Sequence, residues 1–177
     1  MKPVRIHSSK LTLYWNDTGR KQRDSGSFKL LSATVKVLER EINRAGPNSM
    51  RLKLPKGQAL ELTLTLCGRA KIKGLNRRYR KKNRATDVLS FPLYEDLRLT
   101  SSLPPGPLPV LNLGDIFICK EVAKKQAKEF QLSYQGELIH LLIHGFLHLC
   151  GFDHEMSAKE ERLMQQWEQR LIDRIFR

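Results

Sequence analysis

Apolar residues recur along this chain with two periods, and the switches between them outline its elements. Around Val4, Ile6, Leu11, Leu13 and Trp15 the spacing is close to two, which predicts a first strand or a strand pair. Residues 16–26 (NDTGRKQRDSG) are polar and predict a loop. From Ser27 the period lengthens. Leu31, Val35, Leu38 and Ile42 follow at spacings of four, three and four, a helix closed by Arg44 and Gly46-Pro47. Residues 60–66 (LELTLTL) alternate again and predict a half-buried strand. A short basic helix is expected over 69–79, with Ile72 and Leu75–Asn76 turned inward.

Strands are predicted at 87–92, with Pro92 at the end where a missing N–H does least harm, and at 115–119. Between them, residues 94–112 carry Pro104, Pro105, Pro107 and Pro109 around Gly106, which predicts a loop or lid. Helices are expected over 121–130 and 134–150, the second apolar nearly all round and therefore buried. Ser157 and Glu160 form a capping box before a last helix whose Leu163, Trp167, Leu171 and Ile175 recur every four residues. Together these predict one α+β domain over 1–177, with a mixed sheet of about four strands and about five helices.

Charge adds a partner class. The net charge is +14. It is uneven: residues 1–86 hold 22 basic and 5 acidic side chains, residues 87–177 hold 10 and 13. A polyanion engaged mainly by the first half is expected. No apolar run approaches the ~20 residues of a membrane span. The start, Met1-Lys2-Pro3-Val4-Arg5, lacks an apolar segment, so a secretory leader is not expected. Cys67, Cys119 and Cys150 are widely spaced among apolar neighbours and predict reduced, buried thiols in a cytoplasmic protein.

Candidate chemistry concentrates in residues 140–154, HLLIHGFLHLCGFDH. On a helix His144 and His148 share a face, and Gly151 allows the reversal that brings His154 back. Three imidazoles with a fourth position left to water make a catalytic zinc site, on a buried helix and the turn after it. The spacing matches the metzincin proteases, HExxHxxGxxH, but Gly145 replaces the Glu that acts there as general base. A peptidase would need Asp153 or Glu155 in that role. His140, one turn before His144, is a fourth ligand, an outer-sphere group, a substrate contact or a bystander at the cleft edge. Glu137 is placed to orient His140. Asp153 is placed either to hold the third ligand or to satisfy donors in the turn. Cys150 points away from the ligand face and reads as core.

The second candidate is residues 69–84, RAKIKGLNRRYRKKNR, with nine Lys or Arg and no acid. Such a run is commonly a solvated face, but here it adjoins a strand, belongs to the basic half and accompanies a hydrolytic metal site. Arg77, Arg78, Arg80, Lys81 and Lys82 are candidate phosphate contacts, and Tyr79 a stacking surface for an unpaired base.

Two motifs resemble a known family, the YbeY-type rRNA maturation factors, which are bacterial metal-dependent endoribonucleases. One is His144-Gly-Phe-Leu-His148-Leu-Cys-Gly151-Phe-Asp153-His154, which fits HGxLHLxGxDH at every fixed position. The other runs from Leu75-Asn76-Arg77-Arg78-Tyr79-Arg80 to Thr86-Asp87-Val88-Leu89-Ser90-Phe91-Pro92, with Leu113-Gly114-Asp115-Ile116 as a weaker third match. The likeness spans roughly 60–155. It departs at Asn83 and Ala85, where the family often has an acid and a proline, and in the loop at 101–109.

The resemblance implies one zinc ion per chain on His144, His148 and His154, and catalytic roles for His144 and Arg80. It implies cleavage of single-stranded RNA, maturation of the 16S rRNA 3′ end, ribosome quality control and contact with the small ribosomal subunit. A rival from another class is a non-catalytic, RNA-binding assembly factor whose zinc is structural. A metzincin-like peptidase is disfavoured by Gly145.

Overall fold

The computed structural model describes residues 3–18, 25–46, 48–106 and 108–177. The loop expected over 16–26 lies largely outside them, as do Pro47 and Pro107. Five strands and five α-helices run in the order β1 (Val4–His7), β2 (Leu11–Asp17), α1 (Ser25–Ile42), β3 (Leu60–Cys67), α2 (Arg69–Arg80), β4 (Val88–Pro92), β5 (Leu111–Cys119), α3 (Lys120–Glu129), α4 (Tyr134–Leu149) and α5 (Ala158–Ile175). The first apolar stretch is thus a strand pair, and the sheet has five strands instead of about four. A single 3-10 turn, Thr100–Ser102, interrupts the proline-containing loop.

The sheet order is β1-β2-β3-β5-β4. β2, β3 and β5 are parallel, while β1 and β4 run antiparallel at the two edges. Both parallel connections carry a helix, as parallel pairing requires. α1, α4 and α5 cover one face. Leu13, Leu62, Leu64, Ile116 and Ile118 meet Val35, Leu38, Leu142, Ile143 and Phe146 there in the main core. α2 closes the other face over a smaller cluster of Cys67, Ile72, Leu89 and Cys119. The period-two pattern explains the split, since Ile116 and Ile118 point into the first layer and Phe117 into the second.

Two contacts set the approach of α4 to the sheet. At Gly114 φ is +124° and a Cβ would stand 2.1 Å from the Phe91 carbonyl oxygen, so only glycine lets β4 and β5 meet there. At Gly145 a Cβ would stand 2.8 Å from Ile116 Cγ2 and 3.0 Å from Ser90 Oγ. α4 therefore lies directly on β4 and β5. α5 is docked by Met164, Trp167 and Leu171, and by the buried Glu41 of α1, which binds Arg174 and lies 3.7 Å from Arg170. Among the described residues no helix is long and apolar enough to cross a membrane. The three cysteines are buried and unpaired.

Candidate metal centre and RNA cleft

α4 starts where Ser133 accepts the Gly136 N–H at 2.9 Å. Its apolar positions are buried all round except along one stripe, and Glu137, His140, His144 and His148 on that stripe line a cleft of about 880 Å³. The helix stops at Leu149, and Gly151 adopts φ +94°, with a hypothetical Cβ 2.5 Å from Asp96 Cα. The reversal is clamped from the loop. Arg98 donates to the Gly151 carbonyl at 3.0 Å, pairs with Asp96 and Glu160, and stacks 4.6 Å above the Phe152 ring. The segment expected to be a loop or lid thus holds the turn that returns His154 to the helix.

One nitrogen from each of His144, His148 and His154 lies within 4.8 Å of the other two. The Nε2 atoms of His144 and His148 are 3.2 Å apart. Two imidazoles on a tetrahedral ion with ~2.0 Å bonds have nitrogens about 3.3 Å apart, so this spacing suits a shared cation. Burial, and then the neighbouring His144 and His154 rings, push His148 down to about 4, so its lone pair is free at neutral pH. The donor set fits a metal held by neutral imidazoles.

His144 has a partner that sequence reasoning missed. Glu168 of α5 lies 2.7 Å from His144 Nδ1, which leaves Nε2 to face the other two rings. Burial pushes the Glu168 carboxyl up, but the hydrogen bond and charge of His144 outweigh it and hold the group below its ordinary value. A carboxylate 24 residues away carries no local signal; only the packing of α5 on α4 reveals it. Asp153 takes the turn role, its Oδ1 accepting the Glu155 N–H at 2.9 Å.

Arg80 ends α2 at the cleft mouth and grips both Glu155 carboxylate oxygens at 2.9 Å. Both side chains are about half exposed, so the pair is weak. Tyr79 also lines the cleft, its ring edge-on to Phe91 at 5.0 Å and beneath the Arg78 guanidinium. Arg77, Lys81 and Lys82 lie outside the cleft wall, on the exposed flank where α2 ends. Buried Asn76 ties this end to the sheet by donating to the Arg84 carbonyl at 2.7 Å. Leu99, Phe130 and Met156, all exposed, complete an apolar rim that the sequence did not flag.

A family profile described as Endoribonuclease YbeY matches residues 27–175. The chain belongs to this family. Endoribonuclease YbeY of Agrobacterium fabrum is 38% identical over 144 residues, covering 81% of this chain and 76% of the relative. That of Persephonella marina is 42% identical over 116 residues, covering 66% and 71%. A solution structure of a Thermotoga maritima protein aligns over 92% of this chain and 89% of its own, with 25% identity and a TM-score of 0.55. The YbeY assignment agrees with the steric bar to a peptidase. A side chain at position 145 would press on Ile116 and Ser90, a glutamate most of all, and Glu155, the alternative base, is paired with Arg80.

Proposed function

We propose that this chain is a zinc-dependent endoribonuclease, one domain over 1–177, which cuts single-stranded RNA during rRNA processing. The observation that carries the reading is that one cleft joins the three histidines to Arg80 and a stacking surface at Tyr79. His144, His148 and His154 are the zinc ligands, and Glu168 holds the first of them in its ligating tautomer. Bound there, zinc supplies Lewis acidity toward a phosphoryl oxygen. Arg80 releases Glu155, takes a non-bridging phosphate oxygen through its planar fork and offsets the charge that grows in the transition state. Tyr79 stacks on an unpaired base, and Arg77, Arg78, Lys81 and Lys82 follow the backbone on either side. A duplex cannot offer a free base face to Tyr79, so single strands are preferred.

The family resemblance supports the 16S rRNA 3′ end as substrate, with ribosome quality control and small-subunit contact as its setting in the cytoplasm. Metal content and cleavage of a single-stranded RNA, a duplex and casein are measured for the native protein, His144→Ala and Arg80→Ala. Cleavage of the single strand alone, lost in both variants, is the expected result. Stable RNA binding without metal-dependent cleavage by any preparation would instead identify an assembly factor with structural zinc.

A further inference from the structure

No general base is evident in the sequence, and the carboxylates nearest the three histidines are already engaged. Asp87 accepts from the Gln126 amide, the Thr86 hydroxyl and the Val88 N–H, all within 2.9 Å. Asp153 is held by the turn and Glu168 by His144, and Glu155 is paired with Arg80 in the free protein. Glu137, on the stripe of the histidines themselves, differs from these. Glu137 is 1% exposed, and its Oε2 has no hydrogen-bond partner among the described residues. The basic side chain facing that oxygen is His140, whose Nδ1 is 3.7 Å away. The His140 side chain is 40% exposed against 2% for Glu137, so the imidazole stands between the buried carboxylate and the open cleft. His140 lies four residues, about 6 Å along the axis, from His144.

From this geometry we infer that His140 is the proton-transfer residue of the cleft and that Glu137 is its positioning residue. The inference rests on the nuclease reading above and deepens it. With Nδ1 turned to Glu137, Nε2 faces the cleft with its lone pair free. The attacking hydroxyl gives its proton to Nε2 as its oxygen bonds to phosphorus. The bond from phosphorus to the leaving nucleotide oxygen then breaks, and the same proton passes from Nε2 to that oxygen. A 3.7 Å separation in the free protein is within reach of the tightening that catalytic hydrogen bonds undergo when substrate binds. Burial, with Asp87 as a further cause, pushes the Glu137 carboxyl up, while His140 pulls it back. The charged groups around the dyad are Asp87 beside Glu137 and Glu168 near His140.

The test uses the metal-loaded full chain and a defined single-stranded RNA. His140→Ala is expected to keep its metal content and RNA affinity, to lose roughly 10²-fold or more in kcat, and to recover part of it with added imidazole. It should also lose the limb of the kcat/KM–pH profile that reports a group which must shed a proton. Glu137→Gln should move that limb to lower pH and lower kcat with KM unchanged. Glu95→Gln, at the remaining carboxylate of the cleft wall, should match the native protein. A 2′,3′-cyclic phosphate product identifies a ribose 2′-hydroxyl as the attacker, and a linear phosphate identifies water. An unshifted profile in His140→Ala, or loss of the limb in Glu95→Gln instead, overturns the dyad and leaves the nuclease standing. Absence of RNA cleavage by the native protein overturns both.

Discussion

Glu168 on the last helix accepts a 2.7 Å hydrogen bond from Nδ1 of His144 on the buried helix. It fixes which imidazole nitrogen faces His148 and His154, so one side chain couples the docking of α5 to the metal centre. The docking itself is set far from the cleft, by Trp167 and Leu171 in the core and by Glu41 binding Arg174.

Replacing Glu168 should therefore loosen the metal without unfolding the chain. Outer-sphere carboxylates of this type are worth about 10- to 100-fold in metal affinity. Glu168→Gln is expected to lose affinity within that range in a chelator competition. The thermal midpoint of the metal-free protein should move little.

Gly145 sets a second expectation. A methyl group there meets Ile116 at 2.8 Å and Ser90 at 3.0 Å. Overpacking of this kind costs about 1–3 kcal/mol. Gly145→Ala should lower the denaturation midpoint accordingly and reduce metal retention, because α4 must lift from β4 and β5. Gly145→Glu, which would restore the HExxH pattern, should destabilise the fold further and still fail to cleave casein.

How far the sequence carries depends on the range of each interaction. His144 and His148 are legible because four residues on a helix place them on one face, and His154 because Gly151 has the φ of +94° that the turn needs. The burial of Ile72, Leu89 and Phe146 follows from local periodicity in the same way. Glu168, Phe130 and the Arg80–Glu155 pair were not legible, since each depends on how separate elements pack. The short link from His7 to Leu11 (HSSKL) has no glycine to mark a hairpin, so β1 and β2 could be read as one strand or two. The loop before β5 looked featureless by composition, yet Asp96 and Arg98 turn it into a clamp on Gly151.

Asp87 gives a pH expectation. Burial raises its carboxyl, but the donors Gln126, Val88 and Thr86 outweigh burial and hold it below the ordinary aspartate value. A depressed carboxylate contributes stability that is fully present above its unfolded value near ~3.9 and is lost as pH falls through the folded one. Denaturation midpoints followed from about pH 7 to about pH 3 should fall more steeply for the native protein than for Asp87→Asn. At neutral pH the variant should be the less stable by about 1–3 kcal/mol, the worth of hydrogen bonds to a charged group.

The apolar rim predicts how RNA is held. Phe130 is 61% exposed where it lines the cleft. Base stacking on an aromatic ring contributes about 1–3 kcal/mol. Phe130→Ala and Tyr79→Ala should each weaken single-strand binding within that range, with little change in the slope of affinity against salt. Arg77→Ala and Lys82→Ala should do the reverse, each reducing that slope by about one unit.

The Arg80–Glu155 pair separates a structural ion pair from a functional reserve. Both groups are about half exposed, so the pair itself contributes no more than about 1 kcal/mol to stability. If Arg80 leaves Glu155 to bind phosphate, Glu155 competes with the substrate. Glu155→Gln should then lower KM for RNA several-fold, leave the denaturation midpoint unchanged within error and leave kcat near the native value. Arg80→Lys should keep part of the RNA affinity but lose kcat, since an ammonium cannot reproduce the bidentate fork that a phosphoryl group requires in the transition state. A KM that rises in Glu155→Gln would show instead that Glu155 aims Arg80 at the cleft.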